Sequence, residues 1–275
     1  MIPPKPWRVV LVTRILPVAL GFDAAVREAG HAPVGLLTVR WRAESAIGEL
    51  LAGAPEHLDV VVPSSRARIA PLLAPLEPDL VVCMGFPWKV PADALGLPRL
   101  GWLNGHPSLL SRHRGPIPVA WTIRDGDPEA GISFHRMDAE LDTGPVLAQR
   151  SLPIGEYAPP DELFGRMAPL IAEALTEALE RLAAGEEGTP QEGGDYQSFF
   201  GAADARLDLA RTAAELHRLV WAWRYAFAPD GTRGAQVELD GETLLVHATS
   251  LAEVEGARRV ECADAPLWIV ESERL

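Results

Sequence analysis

Three side chains in the middle of the chain have the functional groups of a site that acts on a carbonyl. Asn104 and His106 lie in the densest run of polar and special residues, and Asp142 lies in a tight acidic loop, Met137–Gly144. An amide, an imidazole and a carboxylate brought together can polarise a carbonyl, transfer a proton and fix the charge of the imidazole. We therefore take these residues as candidate catalytic groups.

The elements that would position these side chains follow from residues 9–150, where short β-branched runs alternate with helical patterns. The predicted strands are Val9–Val12, Val34–Leu37, Asp59–Val62, Leu80–Cys83, Leu100–Leu103, Gly131–Arg136 and Val146–Leu152. The predicted helices are Val18–Ala29, Ala43–Ala52, Arg66–Leu73 and Asp161–Ala184. Continuous apolar runs separated by helices are typical of a Rossmann-like α/β fold with a mostly parallel sheet covered on both faces. Leu100–Leu103 would then deliver Asn104 and His106 to the carboxyl edge of the sheet, where such folds keep their sites.

A composition change after residue 184 predicts a second, smaller domain. Residues 185–199 are poor in apolar side chains and are typical of a linker. Beyond them we expect a helix over Asp208–Trp223, a hairpin over Val237–Val246 and a strand over Pro266–Val270, forming a small α+β domain. The predicted organisation is a catalytic domain over 1–184, a linker over 185–199 and a C-terminal domain over 200–275.

Together the polar motifs resemble the signature of folate-dependent formyltransferases. Asn104-x-His106-x-Ser108-Leu109-Leu110 is followed by Arg114-Gly115 and by Leu141-Asp142-Thr143-Gly144. This superfamily includes methionyl-tRNA formyltransferase, sugar N-formyltransferases and glycinamide ribonucleotide formyltransferase. A weaker similarity over residues 206–247 resembles a shortened, OB-like form of the C-terminal domain of the tRNA and sugar enzymes. One departure is Ser111, which stands where the family often has proline.

The resemblance implies a role for each candidate residue. Asn104 would donate a hydrogen bond to the formyl oxygen, and His106 would assist the developing charge and the proton transfer. Asp142 would pair with His106, raise its pKa and relay a proton through water. The implied formyl donor is 10-formyltetrahydrofolate, and no metal is expected. Its pterin would lie between two walls, formed by Gly85, Phe86, Pro87, Trp88 and Val90 on one side and Asp138, Ala139, Glu140 and Leu141 on the other.

The acceptor amine is less constrained, and three alternatives differ in class. They are an N-formyltransferase acting on a small amine (an amino-sugar nucleotide or an amino-acid-derived metabolite), methionyl-tRNA formyltransferase, and a catalytically silent folate-binding protein. The net charge is −13, and the chain from Gly185 onward carries 17 acidic and 8 basic residues. Because phosphates are held mainly by Lys and Arg, this charge argues against tRNA. The segment Leu37–Ser45 also lacks the prolines and glycines of the basic insertion in the tRNA enzymes. We therefore favour a small amine.

The loops beside the candidate catalytic pair would form the side where the amine enters. Arg14, Ser108, Arg112 and Arg114 are the predicted substrate-binding residues, together with the segment Thr38–Arg42. His135 lacks ligand spacing and is expected to be a structural or surface residue. The predicted hairpin and an aromatic cluster near residues 221–227 could build a homodimer contact.

Composition places the chain among ordinary globular proteins, with 48% hydrophobic and 23% charged residues. Its two cysteines, Cys83 and Cys262, cannot form a disulfide framework. The first residues do not resemble a signal peptide, and no apolar run approaches the length of a membrane span. We therefore expect a cytoplasmic protein without a membrane partner.

Overall fold

The computed structural model describes residues 6–40, 44–154 and 158–275 and divides the chain into two compact units. The first unit comprises the residues up to Arg114 together with 131–151 and 164–194. The second comprises 115–130, 152–163 and 195–275. Trp41, Arg42 and Ala43, which belong to the predicted substrate side and to the start of a predicted helix, lie outside the described residues.

The elements follow the predicted alternation closely. In chain order they are β1 (Arg8–Val12), α1 (Leu16–Glu28), β2 (Ala32–Leu37), α2 (Glu44–Gly53), β3 (Val60–Val61), α3 (Ile69–Leu73), β4 (Leu80–Cys83), α4 (Ala92–Leu95), β5 (Trp102–His106), α5 (Pro118–Asp125), β6 (Glu129–Arg136), β7 (Val146–Pro153), α6 (Pro160–Ala183), α7 (Ala202–Ala205), α8 (Ala213–Trp223), β8 (Gln236–Leu239), β9 (Glu242–Ser250), β10 (Arg258–Glu261) and β11 (Pro266–Arg274).

The first unit contains the predicted, mostly parallel sheet. Its strand order is β3-β2-β1-β4-β5-β6-β7, in which the neighbouring strands from β3 to β5 pair in parallel and β6 pairs antiparallel to β5. Alternate residues of each strand enter different cores, because successive side chains point to opposite faces. Leu11 and Val82 pack in one core with Phe22 of α1, whereas Val10 and Val81 pack in another. Both faces are thus covered, as predicted.

The strand that carries the candidate catalytic pair begins later than predicted. We expected a strand over Leu100–Leu103, but Gly101 has a φ of 77° and interrupts the extended backbone. β5 therefore starts at Trp102 and extends through His106, so Asn104 and His106 lie within it. Cys83 of β4 pairs with Asn104, which fixes the position of the amide relative to the parallel strands.

Residues 188–194, which fall in the predicted linker, pack in the first unit; we call them the strap. Thr189 and Val146 exchange two main-chain hydrogen bonds of 2.8 Å each. A Cβ on Gly194 would lie 2.2 Å from the carbonyl oxygen of Ser111, so only glycine fits this approach. The absence of apolar residues misled the linker prediction, because the strap is held by main-chain and polar contacts. The two units accordingly do not follow the boundaries predicted at 184 and 199.

The second unit has the predicted α+β character. Its antiparallel sheet has the order β10-β11-β9-β8, and Asp240 and Gly241 form the predicted hairpin turn with φ of 53° and 81°. α8 begins at Ala213, later than the predicted Asp208, because Thr212 caps it: the Thr212 hydroxyl accepts from the Glu215 amide.

Among the residues that the structure describes, no helix is long and apolar enough to cross a membrane.

Candidate active site

The predicted catalytic side chains meet around one carboxylate oxygen. Asp142 Oδ1 lies 3.3 Å from Asn104 Nδ2, 3.6 Å from His106 Nδ1 and 3.7 Å from His135 Nε2. His106 and His135 are buried, and the Asp142 side chain is 14% exposed. The structure therefore brings the amide, the imidazole and the carboxylate together, and it adds a second imidazole that we had expected to be structural.

The protonation of His106 follows from its surroundings. Nε2 lies 2.8 Å from the carbonyl oxygen of His113, which can only accept, so Nε2 carries the proton. Burial lowers the pKa of His106, and the Asp142 carboxylate raises it by a smaller amount. Asp142 thus raises the pKa of His106 as expected, but desolvation exceeds this charge attraction, and the net pKa of His106 is lowered. A neutral His106 presents an unprotonated Nδ1 toward Asp142.

His135 orients the Asn104 amide. Its Nδ1 lies 2.8 Å from the carbonyl oxygen of Arg136 and donates to it. Because the amide nitrogen of Asn104 can only donate, Asn104 Nδ2 donates to His135 Nε2 over 3.1 Å. This pairing follows from the sheet register, since Asn104 of β5 stands opposite His135 of β6. Sequence reasoning missed His135 because that register is set by long-range strand pairing.

The backbone of the Asp142 loop adopts a conformation that few residue types accommodate. Asp142 has a φ of 59°, in the left-handed region that non-glycine residues seldom adopt. Two residues later, a Cβ on Gly144 would lie 1.9 Å from the carbonyl oxygen of Arg136. Asp138 closes the loop, because its Oδ1 accepts from the Glu140 amide at 3.0 Å and from the Thr143 hydroxyl at 2.7 Å. The conformation presents the Asp142 side chain to β5.

The two predicted folate walls approach each other in the first unit. Lys89 Nζ and Glu140 Oε2 lie 3.9 Å apart and connect the two segments. Phe86 and Trp88 form an edge-to-face pair with ring centroids 5.9 Å apart, and both pack against the apolar cluster that includes the buried Val90. An aromatic wall opposite an exposed polar loop fits a flat heterocycle with amide-like edges.

The predicted substrate-binding residues have different environments. Arg14 donates to the carbonyl oxygen of Gly85 over 3.1 Å, next to a folate wall. Ser108 is buried and donates to the carbonyl oxygen of Arg112, whose own side chain is exposed. Arg114 donates through Nε and Nη2 to Gln191 Oε1 of the strap, at 3.1 and 2.9 Å. Arg114 and Ser108 thus make intramolecular contacts, and a substrate role for these residues remains a prediction.

Comparisons with known proteins address the family to which the chain belongs. A family model described as "Formyl transferase" matches residues 62–179. A methionyl-tRNA formyltransferase from Chromohalobacter salexigens is 37% identical over 234 residues, which cover 81% of this chain and 71% of that protein. Other methionyl-tRNA formyltransferases match at 36–40% identity, and the alignments span 57–64% of their length.

Solved structures share the fold at low sequence identity. HypX from Aquifex aeolicus in complex with tetrahydrofolic acid has a TM-score of 0.66 at 18% identity, covering 98% of this chain and 44% of that one. A 4-N formyltransferase from Francisella tularensis has a TM-score of 0.68 at 16% identity, covering 90% and 99%. With the matching family model and a 37% identical relative covered over most of its length, the chain belongs to the formyltransferase family.

Proposed function

We propose that the chain transfers a formyl group from 10-formyltetrahydrofolate to a primary amine. The observation that carries this proposal is the meeting of Asn104, His106 and Asp142 around one carboxylate oxygen in the buried part of the first unit. When bound, the folate supplies the formyl group, and the wall of Phe86 and Trp88 would hold its ring.

Asn104 is proposed to stabilise the formyl oxygen as negative charge develops on it. Its Nδ2 donates to His135 over 3.1 Å and to Asp142 over a longer 3.3 Å. The longer bond is the one that the formyl oxygen would replace, while His135 keeps the amide oriented. Donors aimed at a developing oxyanion are among the largest contributors to catalysis.

His106 is proposed to move the proton. The acceptor nitrogen forms a bond to the formyl carbon, the bond from that carbon to the donor nitrogen breaks, and one proton passes from the former to the latter. His106 Nδ1 can take this proton and return it, because Nε2–H is fixed on the His113 carbonyl. Asp142, 3.6 Å from Nδ1, would stabilise the imidazolium that forms.

Methionyl-tRNA is the first candidate for the acceptor. The curated relatives at 36–40% identity are methionyl-tRNA formyltransferases, and they support this alternative better than the small amine that we favoured from charge. Because the matched region covers only part of these relatives, the assignment of the acceptor rests on sequence similarity to them. A silent folate-binding protein is the weakest alternative, since all three proposed catalytic groups are present and in contact.

A small amine is the second candidate, and the arginines of the second unit favour it. Among the described residues of this unit, the arginines within 3.4 Å of one of its own carboxylate oxygens include Arg124, Arg211, Arg233, Arg258, Arg259 and Arg274. Arginines that are paired in this way add little positive potential for tRNA phosphates.

A formyl-transfer assay read by mass spectrometry separates these candidates. The protein and 10-formyltetrahydrofolate would be mixed with methionyl-tRNA, amino-sugar nucleotides and amino-acid-derived amines. Formylated methionyl-tRNA supports the first candidate, and a small amine gaining one formyl group supports the second. Folate binding without transfer to any acceptor would contradict the proposed chemistry.

A further inference from the structure

We propose that Gln191 of the strap is a positioning residue that holds the Asp142 loop in its catalytic conformation, with Arg114 fixing the orientation of the Gln191 amide. The proposal rests on the proposed function, since Asp142 is assigned there to stabilise the imidazolium that His106 forms during proton transfer. It concerns four segments of the first unit: the strap, the loop that contains Arg114, β7 and the Asp142 loop.

The Gln191 side chain bridges two groups of opposite hydrogen-bonding character. Its Nε2 donates to the carbonyl oxygens of Asp142, at 3.0 Å, and Gly144, at 2.7 Å. Its Oε1 accepts two bonds from the Arg114 guanidinium. Because a guanidinium can only donate, Oε1 must face Arg114 and Nε2 must face the loop. The arginine thereby determines which end of the amide reaches the carbonyls.

The bonded carbonyls lie where the loop is most constrained. Asp142 has the left-handed φ of 59°, and Gly144 approaches the carbonyl oxygen of Arg136 so closely that no Cβ fits. For a non-glycine residue such as Asp142, the left-handed conformation costs free energy on the order of 1 kcal/mol, so it needs stabilising contacts from its surroundings. The two hydrogen bonds from Gln191 fix the carbonyl groups of Asp142 and Gly144. They therefore restrain the backbone between these two residues.

The strap itself is anchored at both ends, so Gln191 is a fixed support. Thr189 pairs with Val146 of β7 through two main-chain bonds. The Ser111 hydroxyl donates to the carbonyl oxygen of Glu192 at 2.7 Å, and Arg114 Nη1 donates to that of Gly194 at 3.2 Å. The anchors lie on both sides of Gln191, and the strap is therefore held against the first unit along its length.

Replacement of Gln191 by glutamate tests the proposal with almost no change in shape. Gln191→Glu keeps a partner for Arg114 but places a carboxylate oxygen against two carbonyl oxygens, which would repel the loop. We expect kcat to fall about 10- to 100-fold, because a misplacement of about 1 Å at a catalytic group has effects of this size. The KM for the acceptor should stay within about twofold, since the glutamate still provides a partner for Arg114.

Glu192→Gln is the matched control, because its side chain is exposed and only its main chain contributes to the strap. Both variants would also be examined by hydrogen–deuterium exchange of residues 138–146. We expect faster exchange there in Gln191→Glu than in Glu192→Gln, with unchanged exchange in β1 and β4. Equal exchange over 138–146 in the two variants would overturn the proposal, whatever the activity.

Arg114→Lys is the second variant, and it covers the case in which Gln191→Glu does not fold. A lysine cannot supply the two-pronged contact, so we expect lower kcat with an unchanged KM for the acceptor. A raised KM with unchanged kcat would instead support the substrate-binding role and contradict the positioning role. If the wild type transfers no formyl group although the exchange results are as expected, the proposed function fails and the strap contact stands.

Discussion

The polar groups of the two units differ in their exposure to water. In the first unit, Asn104, His106 and His135 surround Asp142 with little access to water, and burial determines the pKa of His106. In the second unit, charges such as those of Arg258 and Asp240 pair on the surface, where solvent screens them. Buried polar contacts therefore decide the local chemistry, whereas pairing on the surface limits the positive potential that a charged substrate meets.

The largest effect should follow loss of the buried groups. We expect His106→Ala or Asn104→Ala to lower kcat about 100- to 1000-fold, because each removes a group proposed to act on the reacting atoms. His57→Ala is the control, since His57 is an exposed histidine that pairs with Asp23 on the surface. Steady-state kinetics measures the difference, and near wild-type turnover in either variant would remove that residue from the mechanism.

The loss of activity at acidic pH should follow the protonation of His106. Its lowered pKa leaves the ring neutral at pH 7, so activity should be full there and fall about tenfold per pH unit once the pH drops below that pKa. Asp142 raises the pKa of His106, and Asp142→Asn should therefore move the His106 titration to lower pH. NMR titration of the His106 ring checks this; a shift to higher pH would contradict the assigned charge attraction.

Removing the carboxylate partners of arginines in the second unit should distinguish tRNA from a small amine as the acceptor. Asp240→Asn with Glu273→Gln removes the carboxylate partners of Arg258 and Arg233. We expect binding of tRNA at low salt to tighten by up to about tenfold and to become more salt-dependent. Binding of an uncharged amine should not change. Filter binding at two salt concentrations measures this, and unchanged tRNA binding would place any phosphate contacts outside this sheet.

The smallest effects should be on stability within the second unit. Thr212→Ala removes the cap of α8 and should lower the free energy of unfolding by about 1 kcal/mol. Arg258→Ala removes only a surface ion pair and should cost less than about 1 kcal/mol. Urea denaturation of both variants provides the measurement. A larger loss for Arg258→Ala would mean that this pair has more than the usual surface contribution.

Patterns local in sequence predicted most of the fold and part of the site. Runs such as Leu80–Cys83 have the length and β-branching of a buried strand, and Asp240-Gly241 determines a hairpin by local turn preference. The resemblance to a known family predicts that Asn104, His106 and Asp142 act together, and the structure places the first two within 3.6 Å of one Asp142 carboxylate oxygen. These predictions depend on periodicity and motif spacing, which a single sequence contains.

Other features depend on contacts between distant segments, which no periodicity encodes. The register that sets His135 opposite Asn104 is a property of two paired strands. Gln191 reaches Asp142 from a segment without apolar residues, so its composition indicated a linker. The net direction of the His106 pKa shift also required the depth of burial, which charge counting alone does not provide.

The strap determines where the chain can be cut to give a catalytic fragment. The family model ends at residue 179, and composition alone would place the end of the catalytic domain at residue 184. A fragment cut at either point would retain every strand of the larger sheet but would leave Val146 and the carbonyls of Asp142 and Gly144 without partners from Thr189 and Gln191. A portion of the chain that is exchanged between relatives must therefore extend at least through Gly194 to keep these contacts.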